Sequence, residues 1–130
     1  IENKVIPFEI KRVYYMYDTV DGVRRGYHAH RCLEQILIPI HGTCKIHLDN
    51  GSETAEVLLD KPYEGLYIAN NMWREMYDFS EDAVLMVLAS EYYDENDYMV
   101  FTNFSFCNTG RFCFAKFSAC RTAILSRQID

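Results

Sequence analysis

Between residues 10 and 90 the chain is a succession of short apolar or alternating segments separated by turn-forming residues. The turn after residue 48 contains Asn50-Gly51, a pair that tolerates the positive φ of a tight hairpin. No helical period of useful length runs through this part of the chain. The pattern predicts an all-β fold, an antiparallel sandwich or barrel. The segments are rich in β-branched and aromatic residues and comprise 10–17, 33–40, 43–48, 52–59, 66–69, 73–79 and 83–89.

Length and charge restrict the class of protein. A chain of 130 residues is the size of one domain. Its formal net charge of −6 argues against binding along a nucleic-acid backbone, and no apolar run approaches the length of a membrane span. The five cysteines include no CxxC pair, which favours reduced thiols in the cytoplasm. We therefore expect a cytoplasmic protein that has neither a nucleic-acid nor a membrane partner.

The segment RGYHAH, residues 25–30, holds two of the four histidines just before a long apolar run. Residues two apart on a strand share a face, so His28 and His30 would point the same way, about 7 Å apart along the strand. Two imidazoles on one face suit either proton transfer or half of a metal site.

Three interpretations of the pair are open. The order His28, His30, Glu34 is that of the cupin metal motif, but the later segment that would supply another histidine has Trp73-Arg74 instead, and arginine does not ligate metals. Metal-free acid–base chemistry is the favoured interpretation, because neutral imidazole accepts a proton near pH 7 and its conjugate acid donates one. Histidines that only bond to backbone or water are the third possibility.

The chain resembles a known family over roughly residues 1–98. Three stretches carry the resemblance: IPFEIKRVYYMYD (6–18), RGYHAHRCLEQILIPIHGTCKIHLDNG (25–51) and GLYIANNMWREMYDFSEDAVLMVLASEYYDENDY (65–98). They are similar to the cupin-fold nucleotide-sugar 3,4-ketoisomerases, which act on dTDP-4-keto-6-deoxyglucose. The combination of HAH, LEQ and the W-x-EM-x-DFS block is much more specific than a lone HxH.

The resemblance implies a cupin jelly-roll β-barrel, a homodimer and a reaction that needs neither metal nor organic cofactor. The C3 proton would be removed, an enediol would form and a proton would return at C4, so that the ketone moves from C4 to C3. The product would feed deoxyamino-sugar and polysaccharide biosynthesis. His28 and His30 would carry the chemistry, with His28 favoured as the carbon base and the other histidine moving a proton between the two oxygens. Tyr15 is assigned as the third catalytic residue.

Seven further residues are assigned to substrate binding. Arg12 and Arg74 are candidates for the diphosphate, and Tyr14 and Trp73 for the thymine ring. The remaining candidates, for the sugar or its developing negative charge, are Arg25, Gln35 and Glu75. The acidic run 91–97 is interpreted as a solvated connector.

The chain departs from the family pattern at both ends. Residues 1–98 form the predicted cupin domain, from which an N-terminal strand that family members carry is absent. Residues 99–130 do not follow the family and form a divergent tail without an assigned structure, although 94–106 would accommodate a short helix. Among other functions, a 3,5-epimerase shares the barrel and the R-G-x-H motif at 25–28, and a non-catalytic sugar-nucleotide-binding module would share the fold.

Overall fold

The computed structural model describes residues 5–100, which form nine strands and one 3₁₀ turn over Glu95–Asp97. The strands are β1 (Arg12–Met16), β2 (Arg25–His30), β3 (Gln35–His41), β4 (Cys44–Asp49), β5 (Thr54–Leu59), β6 (Leu66–Ile68), β7 (Trp73–Tyr77), β8 (Val84–Ala89) and β9 (Tyr98–Met99). One sheet has the order β1-β8-β3-β6 and the other β5-β4-β7-β2-β9, with every neighbouring pair antiparallel. The arrangement is a cupin-like β-sandwich, which confirms the predicted fold class.

The predicted strands are confirmed; most are one or two residues shorter at one end or both, while β3 and β4 each continue one residue further, to His41 and Asp49. The helix predicted over 94–106 is a single 3₁₀ turn in its described part, and β9 follows it directly. The remainder of that segment and the tail to residue 130 lie outside the described residues, so the predicted domain boundary stays a prediction. No helix within residues 5–100 is long and apolar enough to cross a membrane.

Alternation of side chains between the two faces of the strands builds the core between the two sheets. The alternation is clear on β4, where Cys44, Ile46 and Leu48 are buried while Lys45, between the first two, is exposed. These side chains meet Leu85 and others from the opposite sheet in one apolar cluster. A second, smaller cluster lies on the outer face of the four-stranded sheet and is formed by Ile6, Ile36, Ile38 and Leu88.

A bulge in β2 brings the two histidines onto the inner face. The register against β7 shifts between Gly26 and His28, because Tyr27 is inserted with a positive φ of 54°. Gly26 itself has φ of 95°, and a Cβ there would come within 2.7 Å of the Arg74 carbonyl oxygen. Only glycine supplies both the backbone conformation and the space that this bulge requires.

The bulge predicts unequal effects of two glycine substitutions. Gly22 also has a positive φ, of 74°, but a Cβ there would meet no atom within 4 Å. Gly22→Ala should therefore lose only the conformational term, about 1 kcal/mol. Gly26→Ala adds a steric clash with the β7 backbone and should lose about 1–3 kcal/mol more. Urea unfolding of both variants measures the difference, and equal losses would contradict the assigned role of Gly26.

Candidate active site

The rings of His28, His30 and Tyr98 form one cluster on the inner face of the five-stranded sheet. The centroid distances are 4.7 Å between the two histidines, 4.8 Å from His28 to Tyr98 and 4.4 Å from His30 to Tyr98. Pairing of β2 with β9 sets His30 directly opposite Tyr98. The shared face predicted for the two histidines is confirmed, and their rings lie closer together than strand spacing alone requires.

The last residue of the 3₁₀ turn, Asp97, faces inward and binds His30. One carboxylate oxygen lies 3.2 Å from His30 Nδ1 and also accepts from the Leu33 N–H at 3.2 Å, while the other accepts from the Cys32 N–H at 2.8 Å. The interpretation of 91–97 as a solvated connector is thus wrong at its final residue. Asp97 and Tyr98 are site residues that the sequence reasoning missed, because their position depends on the long-range pairing of β9 with β2.

A chain of hydrogen bonds joins the two sheets beneath the histidines. The fully buried Arg74 donates through Nε and Nη2 to the Met72 carbonyl at 3.2 and 2.8 Å, and through Nη1 to Gln35 Oε1. The Gln35 amide then donates to the Tyr14 hydroxyl oxygen at 2.8 Å. Because that oxygen accepts from Gln35, the phenolic proton of Tyr14 is left for another acceptor.

The site therefore has a buried floor and a partly open rim. The floor consists of His30, Gln35 and Arg74, which are 1–3% exposed. The half-buried side chains of Arg12, Tyr14, His28 and Tyr98 surround it on the inner faces of both sheets. A small polar molecule at the rim would meet the half-buried side chains of His28, Tyr14 and Tyr98, with His30 in the floor of the site.

Both imidazoles are held in the neutral form at pH 7. Burial is the main cause that lowers the pKa of His30 to about 3, and the Arg74 cation and His28 add to it against the opposing effect of Asp97. Burial also lowers the pKa of His28, which the hydrogen bond to the Gly26 carbonyl only partly offsets. Burial lowers the pKa of Arg74 to about 10, so this group stays cationic.

The tautomer of His28 follows from its partner. Its Nδ1 lies 2.9 Å from the carbonyl oxygen of Gly26, which can only accept a hydrogen bond. We therefore assign the proton of the neutral ring to Nδ1 and the lone pair to Nε2. His28 is thus a neutral base with one defined basic nitrogen.

A cation and aromatic rings line the rim on the β1 side. The Arg12 guanidinium carbon lies 5.1 Å from the Tyr14 ring centroid and 5.6 Å from that of Tyr93, and its buried Nε has no hydrogen-bond partner. Tyr93 in turn lies 6.0 Å from Tyr98. Arg12 thus lies beside the histidine cluster, its predicted role at the diphosphate stays a prediction, and Tyr93 is a rim residue that the sequence reasoning did not identify.

Four predicted site residues do not join this cluster. Tyr15 alternates with Tyr14, is 53% exposed and faces out of the sandwich, so the tyrosine at the site is Tyr14. Glu75 lies on the outer face of β7, where its carboxylate accepts hydrogen bonds from Trp73 Nε1 at 3.1 Å and from Arg24 Nη1 at 2.7 Å. Trp73 shares that outer face, opposite to Arg74. Arg25 is exposed at the first residue of β2.

The metal interpretation finds little support in the donor arrangement. Glu34, the carboxylate of the proposed ligand set, accepts a hydrogen bond from Tyr67, whose ring packs against the outer apolar cluster. Within residues 5–100, no group of three or more His, Cys, Asp or Glu side chains is arranged to hold a metal ion.

Comparison with known proteins identifies similar sequences. The family model described as "FdtA: WxcM-like, C-terminal" matches residues 1–107. A curated protein from Aneurinibacillus thermoaerophilus, named TDP-4-oxo-6-deoxy-alpha-D-glucose-3,4-oxoisomerase, is 55% identical over 98 residues, which are 75% of this chain and 70% of that protein.

Solved structures with the same fold include two that are described as 3,4-ketoisomerases. A 3,4-ketoisomerase from Helicobacter canadensis is 48% identical with a TM-score of 0.75, and the match covers 79% of each chain. QdtA from Thermoanaerobacterium thermosaccharolyticum, a sugar 3,4-ketoisomerase in complex with TDP, is 52% identical with a TM-score of 0.74, over 76% of this chain and 73% of that one.

The lowered pKa of His30 predicts a loss of stability in acid. The unfolded chain protonates this imidazole near its ordinary pKa of 6.5 and the folded chain near 3, so the free energy of unfolding falls as the pH drops through that window. His30→Asn should remove this component and flatten the profile between about pH 6.5 and 4.5. Chemical unfolding at several pH values measures it, with the exposed His41→Asn as control. Parallel wild-type and His30→Asn profiles would contradict the assignment.

Proposed function

Because the chain belongs to the FdtA family (WxcM-like, C-terminal), we propose that it isomerises TDP-4-keto-6-deoxyglucose to a TDP-linked 3-keto-6-deoxyhexose. The names of its relatives support this reaction: the curated one is a TDP-4-oxo-6-deoxyglucose 3,4-oxoisomerase, and the solved ones are 3,4-ketoisomerases. The protein is accordingly an isomerase.

The single observation that carries the proposal is the pairing of two neutral imidazoles at a half-open polar site. Their rings lie 4.7 Å apart, and burial lowers the pKa of each, so both are unprotonated at neutral pH and each has one nitrogen with a lone pair. A ketoisomerisation moves one proton between carbons and one between oxygens. Two adjacent imidazoles, each with one nitrogen that can accept a proton, match that demand in number and in position.

His28 is the better candidate for the carbon base. It is half-buried at the rim, whereas His30 is buried in the floor, and its basic nitrogen is Nε2. Removal of the C3 proton by this nitrogen would shift the C3–H electron pair into a C3=C4 double bond and the carbonyl π pair onto O4. Return of the proton from His28 to C4 would complete the transfer between carbons.

The transfer between oxygens falls to His30, and Tyr14 would stabilise the intermediate. His30 would take the proton of the C3 hydroxyl as C3=O forms and deliver a proton to O4, so that charge and atoms balance over the cycle. The phenolic proton of Tyr14, which the Gln35 amide does not use, is available for the oxyanion that develops at O4. The Arg74 cation beneath both groups also favours negative charge at this position.

Arg12 is the candidate for the TDP diphosphate. Its guanidinium lies at the rim between two tyrosine rings, and its partnerless buried Nε is a donor without an acceptor. The neighbouring Tyr93 ring is 60% exposed and offers a flat surface for thymine. Tyr93 therefore replaces Trp73, which lies on the outer face of β7, in the proposed nucleotide site.

The reaction would take place in the cytoplasm and supply a 3-keto sugar for amination. Cys32 and Cys44 are free thiols, in agreement with a reducing compartment. A 3-keto sugar nucleotide is the substrate that a transaminase needs to make a 3-amino sugar, so deoxyamino-sugar and polysaccharide biosynthesis is the proposed setting.

We expect the protein to act as a homodimer. On the outer face of the four-stranded sheet, Val13 and Tyr15 are 47% and 53% exposed, and they lie opposite the apolar residues Leu88 and Met86. Their side chains extend the outer apolar cluster to the edge strand β1, where a second copy would cover them.

The position of the carbonyl group in the product tests the proposed reaction. Incubation of the protein with TDP-4-keto-6-deoxyglucose in D₂O, followed by ¹³C NMR of the sugar, should show the ketone at C3 and a hydroxyl-bearing carbon at C4. A ketone that stays at C4 with exchange at C3 and C5 would instead identify a 3,5-epimerase. Binding of TDP without turnover would identify a binding module.

Matched variants separate the catalytic side chains from their neighbours. His28→Asn should lower kcat by about 10²–10⁴-fold, because it removes the carbon base, while TDP binding persists. Tyr14→Phe should lower kcat by about 10²-fold through loss of one donor to the oxyanion. Tyr15→Phe, on the same strand but facing outward, should keep wild-type kcat. Steady-state assays by NMR measure all three, and a strong defect in Tyr15→Phe alone would overturn the assignment.

The dimer is tested by mass in solution. Sedimentation equilibrium should give twice the protomer mass for the wild type and a shift toward the protomer mass for Val13→Lys, because a buried charge without a partner destabilises an apolar interface. Lys45→Glu, on the exposed face of the other sheet, is the control and should stay dimeric. A wild type of protomer mass would contradict this part of the proposal.

A further inference from the structure

We propose that Asp97 is a positioning residue that sets the tautomer of His30, so that its Nε2 is the basic nitrogen during the reaction. Asp97 acts through His30 and has no assigned contact with the sugar, and the inference rests on the proposed function for its consequence in catalysis. Its geometric basis is independent of any substrate.

The argument begins with what Asp97 can donate and accept. An ionised carboxylate has no proton to give, and its Oδ2 lies 3.2 Å from His30 Nδ1. A neutral imidazole carries one proton, so this contact is a hydrogen bond only when the proton is on Nδ1. The lone pair of the buried ring is then on Nε2, the nitrogen that Asp97 does not engage.

The remaining contacts of Asp97 hold its carboxylate in place. Oδ1 accepts from the Cys32 N–H at 2.8 Å and Oδ2 from the Leu33 N–H at 3.2 Å, while the Asp97 carbonyl accepts from the Arg31 N–H at 3.1 Å. The 3₁₀ turn that carries Asp97 is capped by Asp94, whose side chain accepts from the Asn96 N–H at 2.9 Å. Three contacts to the β2–β3 connection and one cap leave the carboxylate a single orientation toward His30.

The same logic links the two histidines. His28 has Nδ1 on an acceptor-only carbonyl, and His30 has Nδ1 on an acceptor-only carboxylate. Both rings therefore present Nε2 as a lone pair, which the oxygen-to-oxygen transfer requires of His30 at the moment when it takes the hydroxyl proton. A ring with its proton on Nε2 would have to give a proton away before it could accept one.

Asp97→Asn inverts this arrangement with little change in shape. The amide oxygen accepts from the Cys32 N–H, and the NH₂ group takes the place of Oδ2, where it faces His30 and gives up the hydrogen bond from the Leu33 N–H. An NH₂ group donates to Nδ1, so the imidazole proton moves to Nε2. We expect kcat to fall about 10²-fold or more, and KM to change by less than about threefold.

Asp94→Asn is the matched control. It makes the same change of charge in the same acidic run, and asparagine is an equally good cap for the 3₁₀ turn. Asp94 has no contact with either histidine among the hydrogen bonds of the described residues. This variant should keep wild-type kcat and KM, so a defect confined to Asp97→Asn is not an effect of net charge.

Long-range ¹H–¹⁵N correlation NMR of the ligand-free protein gives the decisive readout. The His30 ring, assigned by the loss of its signals in His30→Asn, should carry its proton on Nδ1 in the wild type and on Nε2 in Asp97→Asn. A wild-type ring with its proton on Nε2 overturns the inference, as does an Asp97→Asn variant in which the proton has moved to Nε2 and kcat is unchanged. If Asp97→Asn fails to fold, the wild-type spectrum still decides. Because this spectrum needs no substrate, failure of the proposed isomerase activity would leave the tautomer assignment standing.

Discussion

The buried cation of Arg74 is the interaction on which the rest of the site depends. Its guanidinium joins the two sheets, since it donates twice to the Met72 carbonyl on its own side and once to Gln35 on the other. A charge buried this completely is tolerated only when its donors are satisfied. Arg74 thereby orients the Gln35 amide, and it contributes to keeping both histidines neutral. One residue thus links sheet packing to the protonation state of the site.

Two partners that can only accept hydrogen bonds determine which nitrogen of each neutral imidazole carries the proton. The Gly26 carbonyl is available to His28 because the bulge at Tyr27 turns the backbone of β2 back toward the ring. The Asp97 carboxylate reaches His30 because the short β9 pairs with β2 immediately after the 3₁₀ turn. Proton transfer between atoms of one sugar requires a lone pair on the nitrogen that faces the sugar. In the other tautomer that nitrogen carries the proton and the lone pair is on the opposite nitrogen.

Sequence reasoning identified part of this site and missed the rest for reasons of geometry. His28 and His30 were identified because spacing of two on a strand guarantees a shared face. Gln35 came from the family resemblance and Arg74 from the cation that a diphosphate needs, and both lie in the buried floor of the site. The choice of Tyr15 as a site residue does not match the structure, because the pairing of β1 with β8 turns the neighbouring Tyr14 inward and Tyr15 outward. The choices of Trp73 and Glu75 do not match for the same reason, because both are neighbours of the inward-facing Arg74 and therefore point to the outer face of β7.

The sequence by itself determined the period of two, the turns and the pair of imidazoles, because these depend on local backbone preferences and on side-chain chemistry. Which face each strand presents, and which distant groups meet there, was decided only by the tertiary structure. The contact between His30 and Asp97 spans 67 residues and that between Arg74 and Gln35 spans 39. No local pattern encodes either one, because each forms only when strands far apart in the chain have found their register.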